Sequence, residues 1–454
     1  MSSPRLHLLR ESLQKLLRRG AISHVERVLA KARPVDVAEV MRSLDERQQN
    51  SVFERLPSDE IRAETLAELD PHIAAELFER RDIASLVPVF AAMEADDQAD
   101  LLSLLPADKQ QILIDALRPA EAVEIEDLLK YEPDSAGGIM SPEYFSLSAD
   151  TTASSAIEAL QATADVEMAF YIYVVNEPGH LVGVVSLRAL VTHPGPTPLS
   201  QLMVSDVISA DVNTDQEEVA RLAARYNLLA IPVVDDGNHL VGIVTIDDVV
   251  DVIREEATED ILKMAGADET AYESSSVLAN VKVRAPWLFA TWLGGLAASI
   301  LIGVFEHQLQ NMVALAAFIP IVLGMGGNVG AQTATIIVRG LATGRVSEGV
   351  GLQYLVREVG IGVLLGILYG VLLGTYAFVT YADEFYVLAL AITVGISILA
   401  SMASSAAVGA VTPLIFNRLK IDPAVATGPI VTTSVDILGI MVYFCTASLV
   451  IGRI

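Results

Sequence analysis

The sequence predicts a multidomain chain. An all-α superhelical domain covers residues 1–130, and an α/β module of two duplicated units covers 131–256. A connecting helix follows over 257–283, then an α-helical membrane domain with five transmembrane helices over 284–454. Three observations carry this prediction. Short leucine-faced segments recur through the first part, a 12-residue phrase returns 59 residues later in the second, and five long apolar stretches fill the last. The charge divides along the same line. From Arg284 onward seven acids balance seven bases, so the whole net charge of −27 lies on residues 1–283. A strongly acidic region repels nucleic acid and anionic lipid and attracts cations. Nucleic acid is therefore excluded as a partner.

In the first domain, "LDERQQNSVFERL", "LPSDEIRAETLAEL" and "LPADKQQILIDAL" belong to a series spaced mostly about 12–13 residues apart. In several, an Asp or Ser caps the helix start, a Pro stands at or near it, and acids fill the first turn. Each short helix buries one leucine face on the next, as in a superhelical stack. The run "EADDQAD" (Glu94 to Asp100) reads as a solvated helix start, with a cation site as the alternative. The opening "MSSPRLHLLRESLQKLLRRG" alternates charge and leucine at helical spacing and lacks the uninterrupted apolar core of a signal peptide. It reads as an amphipathic helix.

The second region repeats itself: "HLVGVVSLRALV" (180–191) returns as "HLVGIVTIDDVV" (239–250). Each copy reads strand, amphipathic helix, strand, glycine-containing turn, strand, helix, from short β-branched runs and 3.6-residue periods. This duplication resembles a tandem CBS pair, a Bateman module, and the resemblance implies ligand sensing, often of adenine nucleotides such as ATP. The ribose-contacting pattern of that family, Ser/Thr followed three residues later by Asp, is matched by Thr245 and Asp248. In the first copy Ser186 and Arg188 are followed by Ala189 where the Asp belongs. Arg188, Thr245 and Asp248 are the candidate nucleotide contacts.

The five apolar stretches run over about 286–305, 312–338, 359–380, 386–416 and 424–451. Each can span ~30 Å of hydrocarbon at about 20 residues per crossing. Lys282 and Arg284, then Arg339, Arg345 and Arg357, then Arg418 and Lys420 alternate with the Lys/Arg-free connections "EHQLQ" and "YADEF". The positive-inside rule then puts the N-terminal domains in the cytosol and the C-terminus outside; the plasma (inner) membrane is the expected location. Cys445, the single cysteine, rules out an internal disulfide and reads as a small apolar residue of the fifth helix.

Two of these stretches are poor lipid-facing helices. The second contains "PIVLGMGGNVGAQTATIIV", dense in glycine and amides. In the fifth, Gly428, Thr432, Asp436 and Gly439 follow i, i+4, i+8, i+11 and share one face. Small residues alone serve close helix packing. A carboxylate does not, and a charge at bilayer depth costs at least ~2.5–3.5 kcal/mol on insertion scales. Only Asp436 lies deep on this reading, with no Lys or Arg near mid-membrane to pair with it, so a cation is its natural partner. The other candidate ligands are the neutral oxygens of Asn328, Gln332, Thr335 and Thr432. Hard oxygens suit Mg²⁺ or Ca²⁺, and few carboxylates among many neutral groups suggest an ion held through its water shell. An intramembrane aspartyl protease needs two apposed carboxylates, and one deep Asp does not supply them.

"PIVLGMGGNVGAQ" and "DPAVATGPIVTTSVDILG", behind a helical domain and a CBS pair, resemble the MgtE family of Mg²⁺ channels over nearly the whole chain. The resemblance implies a homodimer in the lipid bilayer with the ion path between subunits, lined by the second and fifth helices. Asp436 matches the selectivity-filter aspartate, with Asn328, Gly428 and Thr432 at motif positions near it. "DDVVDVIREEATEDILKM" crowds acids that repel unless cations neutralise them, a Mg²⁺-controlled latch. In the family this connecting helix plugs the pore when cytosolic Mg²⁺ is plentiful. Glu217, Asp248, Asp251, Glu259 and Asp260 match its sensing positions, and Asp422 is similarly placed. Asn227 departs from the pattern, standing where an acid is expected. The chain is thus expected to be a transport protein rather than an enzyme, with Mg²⁺ both carried and sensed. A CBS-regulated carrier or exchanger of Mg²⁺, Co²⁺ or Mn²⁺ is the alternative, since channels and carriers both use polar broken helices at mid-membrane.

Overall fold

A computed structural model describes residues 4–163, 170–267, 277–346 and 351–451. It divides into two compact units, Met1–Ile253 and Arg254–Ile454.

The first unit opens with short helices whose starts carry the expected signals. Asp45 accepts from the Gln48 amide at 2.9 Å and Ser58 from the Ile61 amide at 3.3 Å, while Pro34, Pro71 and Pro119 begin their helices. Side chains from Leu13 to Ile125 form one core, with Phe78 and Phe90 edge to face at 6.5 Å.

The duplication folds as two three-stranded sheets of the same order. Ser146–Ser148, Tyr171–Val175 and Leu181–Ser186 form one; Ala210–Asp211, Ala230–Val234 and Leu240–Thr245 form the other. In each, the first pair is parallel and the second antiparallel. The two glycines of the repeated "HLVG" explain themselves. A Cβ on Gly183 would lie 2.5 Å from Met203 Sδ, and one on Gly242 would lie 2.6 Å from Met140 Sδ. Each copy thus seats, over a bare backbone, the methionine that precedes the other copy's sheet. Tyr173, Leu181, Val234, Leu240 and Ile243 close the space between the sheets, where His180 and His239 stack at 4.5 Å.

The second unit holds five helices long and apolar enough to cross a membrane: Asn280–Val304, Val313–Ala342, Gly351–Thr380, Val387–Arg418 and Pro423–Val450. The third and fourth are locked by a glycine ladder. Gly362, Gly366, Gly370 and Gly374 repeat every four residues, and a Cβ on each would come within 2.7–3.0 Å of fourth-helix backbone. Bare glycines let two backbones touch where no hydrophobic force between helices is available. The fourth helix also packs on the second and fifth, and the first rests on the fifth.

Candidate ion path and acidic clusters

The second and fifth membrane helices meet through small residues. Val435 Cγ2 lies 2.9 Å from the Cβ position of Gly330, and Val435 Cγ1 lies 3.7 Å from that of Gly326. Leu323 Cδ2 is 3.0 Å from the Cβ position of Gly439. This antiparallel register sets Asp436 at the depth of residues 323–330. Asp436 is half-buried, and its carboxylate has no hydrogen bond or ion pair among the described residues. On the second helix Gly324, Asn328, Gln332 and Thr335 repeat the i, i+4, i+8, i+11 spacing, and all four are exposed. Thr432 is half-buried, its hydroxyl shared between the Gly428 and Pro429 carbonyls at 3.1 and 3.3 Å. Gly428 is buried under the Met264 carbonyl, 3.0 Å from its Cβ position, so it serves packing against residues 263–266.

Beside that carbonyl stands Lys263. It pairs with Asp422 at 2.7 Å and with Glu259 one turn back. Burial works against its charge, but the hydrogen bonds it donates to Asp422 and Glu259 prevail and push its pKa up. Two of the expected sensing acids thus share one ammonium. Asp260 is half-buried on the same helix. Residues 268–276 of the expected connecting helix lie outside the described residues.

In the first unit, the Ala95–Leu104 helix packs Ala99 into the same core as Val249 and Val252 of the Ile246–Met264 helix. Two acid-rich helix starts come together as a result. Burial pushes Asp97 up to about 8, helped by Asp96, Glu94, Asp100 and Asp248. Burial takes Asp248 up to about 7 against hydrogen bonds from Thr245, and Asp100 up to about 6. Glu68 is raised by burial and then by Asp251, which is itself exposed. Among the described residues no three His, Cys, Asp or Glu side chains are gathered tightly enough to ligate a metal ion directly. Glu217 pairs with Arg221 on its own helix at 2.7 Å. Asn227 ends that helix at φ +53°, a left-handed position that Asn tolerates better than a longer acid does.

Of the nucleotide candidates, Arg188 lines a cavity of about 540 Å³ with Phe170, Tyr171, Ser186, Leu187 and Leu229. Thr245 and Asp248 do not line it. Thr245 is fully buried, its hydroxyl bonded to Asp247 and Asp248.

Known proteins share this whole arrangement. The MgtE divalent cation transporter profile matches residues 319–446, the MgtE intracellular N domain matches 32–134, and the CBS domain matches 136–194 and 199–255. The magnesium transporter MgtE of Thermus thermophilus is 36% identical over 452 residues, 98% of each chain. The chain belongs to the MgtE family. A second MgtE, from Bacillus subtilis, is 33% identical over 435 residues, 95% of each chain. The crystal structure of the cytosolic domain of the Mg²⁺ channel MgtE in complex with ATP is 38% identical. It covers 54% of this chain and 99% of its own, with a TM-score of 0.50. These MgtE relatives are named as transporters, not enzymes.

Three features of this MgtE chain differ from the sequence reading. Asp436 is not alone as an acid within the membrane spans: Glu358 is 2% exposed, with Oε1 unpartnered among the described residues. It sits seven residues into the third span, about 10 Å by helical rise. Beside Arg357 it passes for an interfacial residue in the sequence. "EADDQAD" is not a simple solvated start, because a second acidic helix start faces it. Lys263 was missed because its partner Asp422 lies 159 residues away. A further signal was present but unread: Thr393, Ser397 and Ser401 repeat every four residues, and their buried hydroxyls have no partner among the described residues.

Proposed function

We propose that this MgtE-family chain carries Mg²⁺ across the membrane along its second and fifth helices, two chains enclosing the path. One observation carries the reading: the unpaired Asp436 carboxylate lies at the depth of the exposed Gly324–Asn328–Gln332–Thr335 face. One carboxylate per chain with neutral oxygens suits an ion that dehydrates reluctantly and keeps several waters. The names of the relatives support Mg²⁺ as that ion. The positive-inside pattern supports cytosolic N-terminal domains and an external C-terminus.

Regulation by cytosolic Mg²⁺ follows from the acids. Around Asp97 and Asp248 a cation relieves the repulsion between two helix starts. At Glu259 and Asp422 it must join or displace Lys263. Asp251 adds charge beside Glu68, Asp260 lies on the helix that carries Glu259, and Glu217 adds acidity one helix away with Arg221 as its partner. The cavity at Arg188 is of ordinary ligand size, and the ATP complex of a relative supports nucleotide binding by this cytosolic fold.

The test is Asp436→Asn in proteoliposomes, with Mg²⁺ uptake read by an internal dye. We expect uptake to fall at least ~100-fold while expression and dimerisation stay intact; normal uptake refutes the path. Unitary Mg²⁺ currents in patch recording would make the protein a channel. Flux without unitary current would make it a carrier.

A further inference from the structure

The acidic unit has one basic end. Residues 1–33 hold eight Lys and Arg against two Glu, a net +6, while residues 34–283 carry −33. This end precedes the region matched to the MgtE N domain, which begins at residue 32. Its first helix, Pro4–Arg18, turns Leu13 fully into the core. On another face Leu8, Ser12, Lys15 and Arg19 follow i, i+4, i+7, i+11. Leu8 is 63% exposed.

Between this helix and the next, Ile22–Leu29, lies a cavity of about 550 Å³. Leu8, Leu9, Leu16 and Val28 floor it, Arg27 and Lys31 line its far side, and Asp36 is the one acid in its wall. None of Lys15, Arg19, Arg27 and Lys31 is ion-paired among the described residues; Arg27 Nε donates to the Ser23 carbonyl at 3.1 Å. Elsewhere in the domain arginines do find acids: Arg62 pairs with Asp59 at 2.6 Å, and Arg80 with Glu76 at 2.8 Å.

We propose that this groove binds anionic phospholipid of the cytosolic leaflet, the cations taking headgroup phosphates and the leucine floor the glycerol and upper acyl carbons. The assignment rests on the cytosolic placement given under Proposed function. An apolar stripe edged by Lys and Arg is the composition of a helix that lies in a bilayer interface. A basic cluster near an anionic leaflet is attracted cation by cation. The rest of this unit is acidic and repelled by the same surface, so this is the end of the unit that it attracts. The acidic face of a second copy would satisfy the charges but leave the exposed Leu8 without an apolar partner.

The test is amide hydrogen exchange on the full chain in nanodiscs of phosphatidylcholine alone, or with one quarter phosphatidylglycerol. Peptides spanning residues 6–32 should exchange more slowly in the anionic discs, and the protection should vanish in 0.5 M NaCl. Each of Lys15→Gln, Arg19→Gln, Arg27→Gln and Lys31→Gln should lower the protection by about fivefold at low salt. Equal exchange in both discs overturns the proposal. So does protection in neutral discs that grows with protein density, which would assign the groove to a second copy. Mg²⁺ flux measured in the same lipids separates the two readings: intact flux without protection removes the lipid site alone, and protection without flux removes the transport reading alone.

Discussion

Asp97 gives the sharpest test of how the first unit uses its acids. Its carboxyl is raised to about 8 and those of Asp248 and Asp100 to about 7 and 6, chiefly by burial and then by neighbouring acids. A carboxyl whose folded pKa exceeds its unfolded value binds more protons when native, so stability falls as pH rises. The loss begins near pH 4, where the unfolded carboxyls ionise, and is complete above about 8, where Asp97 has titrated. One pKa unit is worth about 1.4 kcal/mol. Asp100 is exposed and Asp97 half-buried, so solvent screening reduces the combined cost to order 1–3 kcal/mol. Asp97→Asn keeps the shape and removes the charge. At pH 5 the variant should match the wild type, whose Asp97 is already neutral. At pH 8.5 without divalent cations it should be more stable by about 1–3 kcal/mol, and Mg²⁺ should add less to it than to the wild type. Hydrogen exchange on the Ala95–Leu104 helix at both pH values, with and without Mg²⁺, reads this directly. A variant destabilised equally at pH 5 and 8.5 would make Asp97 an ordinary structural contact and refute the electrostatic account.

Three further outcomes follow from the same geometry. Lys263→Met leaves Glu259 facing Asp422 without its ammonium; inhibition of flux by cytosolic Mg²⁺ should steepen and shift by roughly threefold, as expected of a partly exposed pair, and an unchanged curve would remove the pair from regulation. Gly366→Leu drives a side chain into the Leu399 backbone, 2.7 Å from the Cβ position; it should cost about 3 kcal/mol in a thermal melt, whereas Gly303→Ala, with nothing within 4 Å, should cost little. Arg188→Ala should weaken ATP binding about tenfold by calorimetry, the loss of one charge-assisted hydrogen bond, while Thr245→Val should not; the reverse result would move the nucleotide to the second copy.

The fold was legible wherever a local rule decided it. Capping by Asp45 and Ser58 needs only four consecutive residues, and the "HLVG" phrase repeats because two methionines must each lie over a bare backbone. Membrane spans follow from length and hydropathy alone. Contacts at long separation were not legible. Lys263 carries no mark tying it to Asp422, and the Asp97–Asp248 cluster exists because Ala99, Val249 and Val252 share a core, which no charge pattern reveals. Glu358 was hidden for a different reason: near a span's end, burial and exposure of an acid look alike in sequence. For Asp436 the legible part was the helical face, and the register against Gly326, Gly330 and Leu323 required coordinates.

The parts that obey stability rules and those that break them are sharply separated. The Gly362–Gly374 ladder joins the third and fourth helices backbone to backbone, and such an interface has no second arrangement at low cost. The second and fifth helices meet through Val435 on Gly326 and Gly330, and leave an amide face exposed at the depth of an unpaired carboxylate. The cluster at Asp97 likewise lowers native stability at neutral pH. Local rules are broken where function compensates, and both exceptions here gather negative charge or oxygen without a protein cation to match. A bound cation remedies both defects with one chemistry. The opposite arrangement holds at Glu259 and Asp422, where Lys263 already supplies the charge. That site is therefore neutralised by the chain itself, whereas the acids around Asp97 have no such cation among the groups that shift them. Of the two, the Asp97 cluster carries the unmatched charge, and the pH and Mg²⁺ dependence of Asp97→Asn is therefore the sharper test of the proposed regulation.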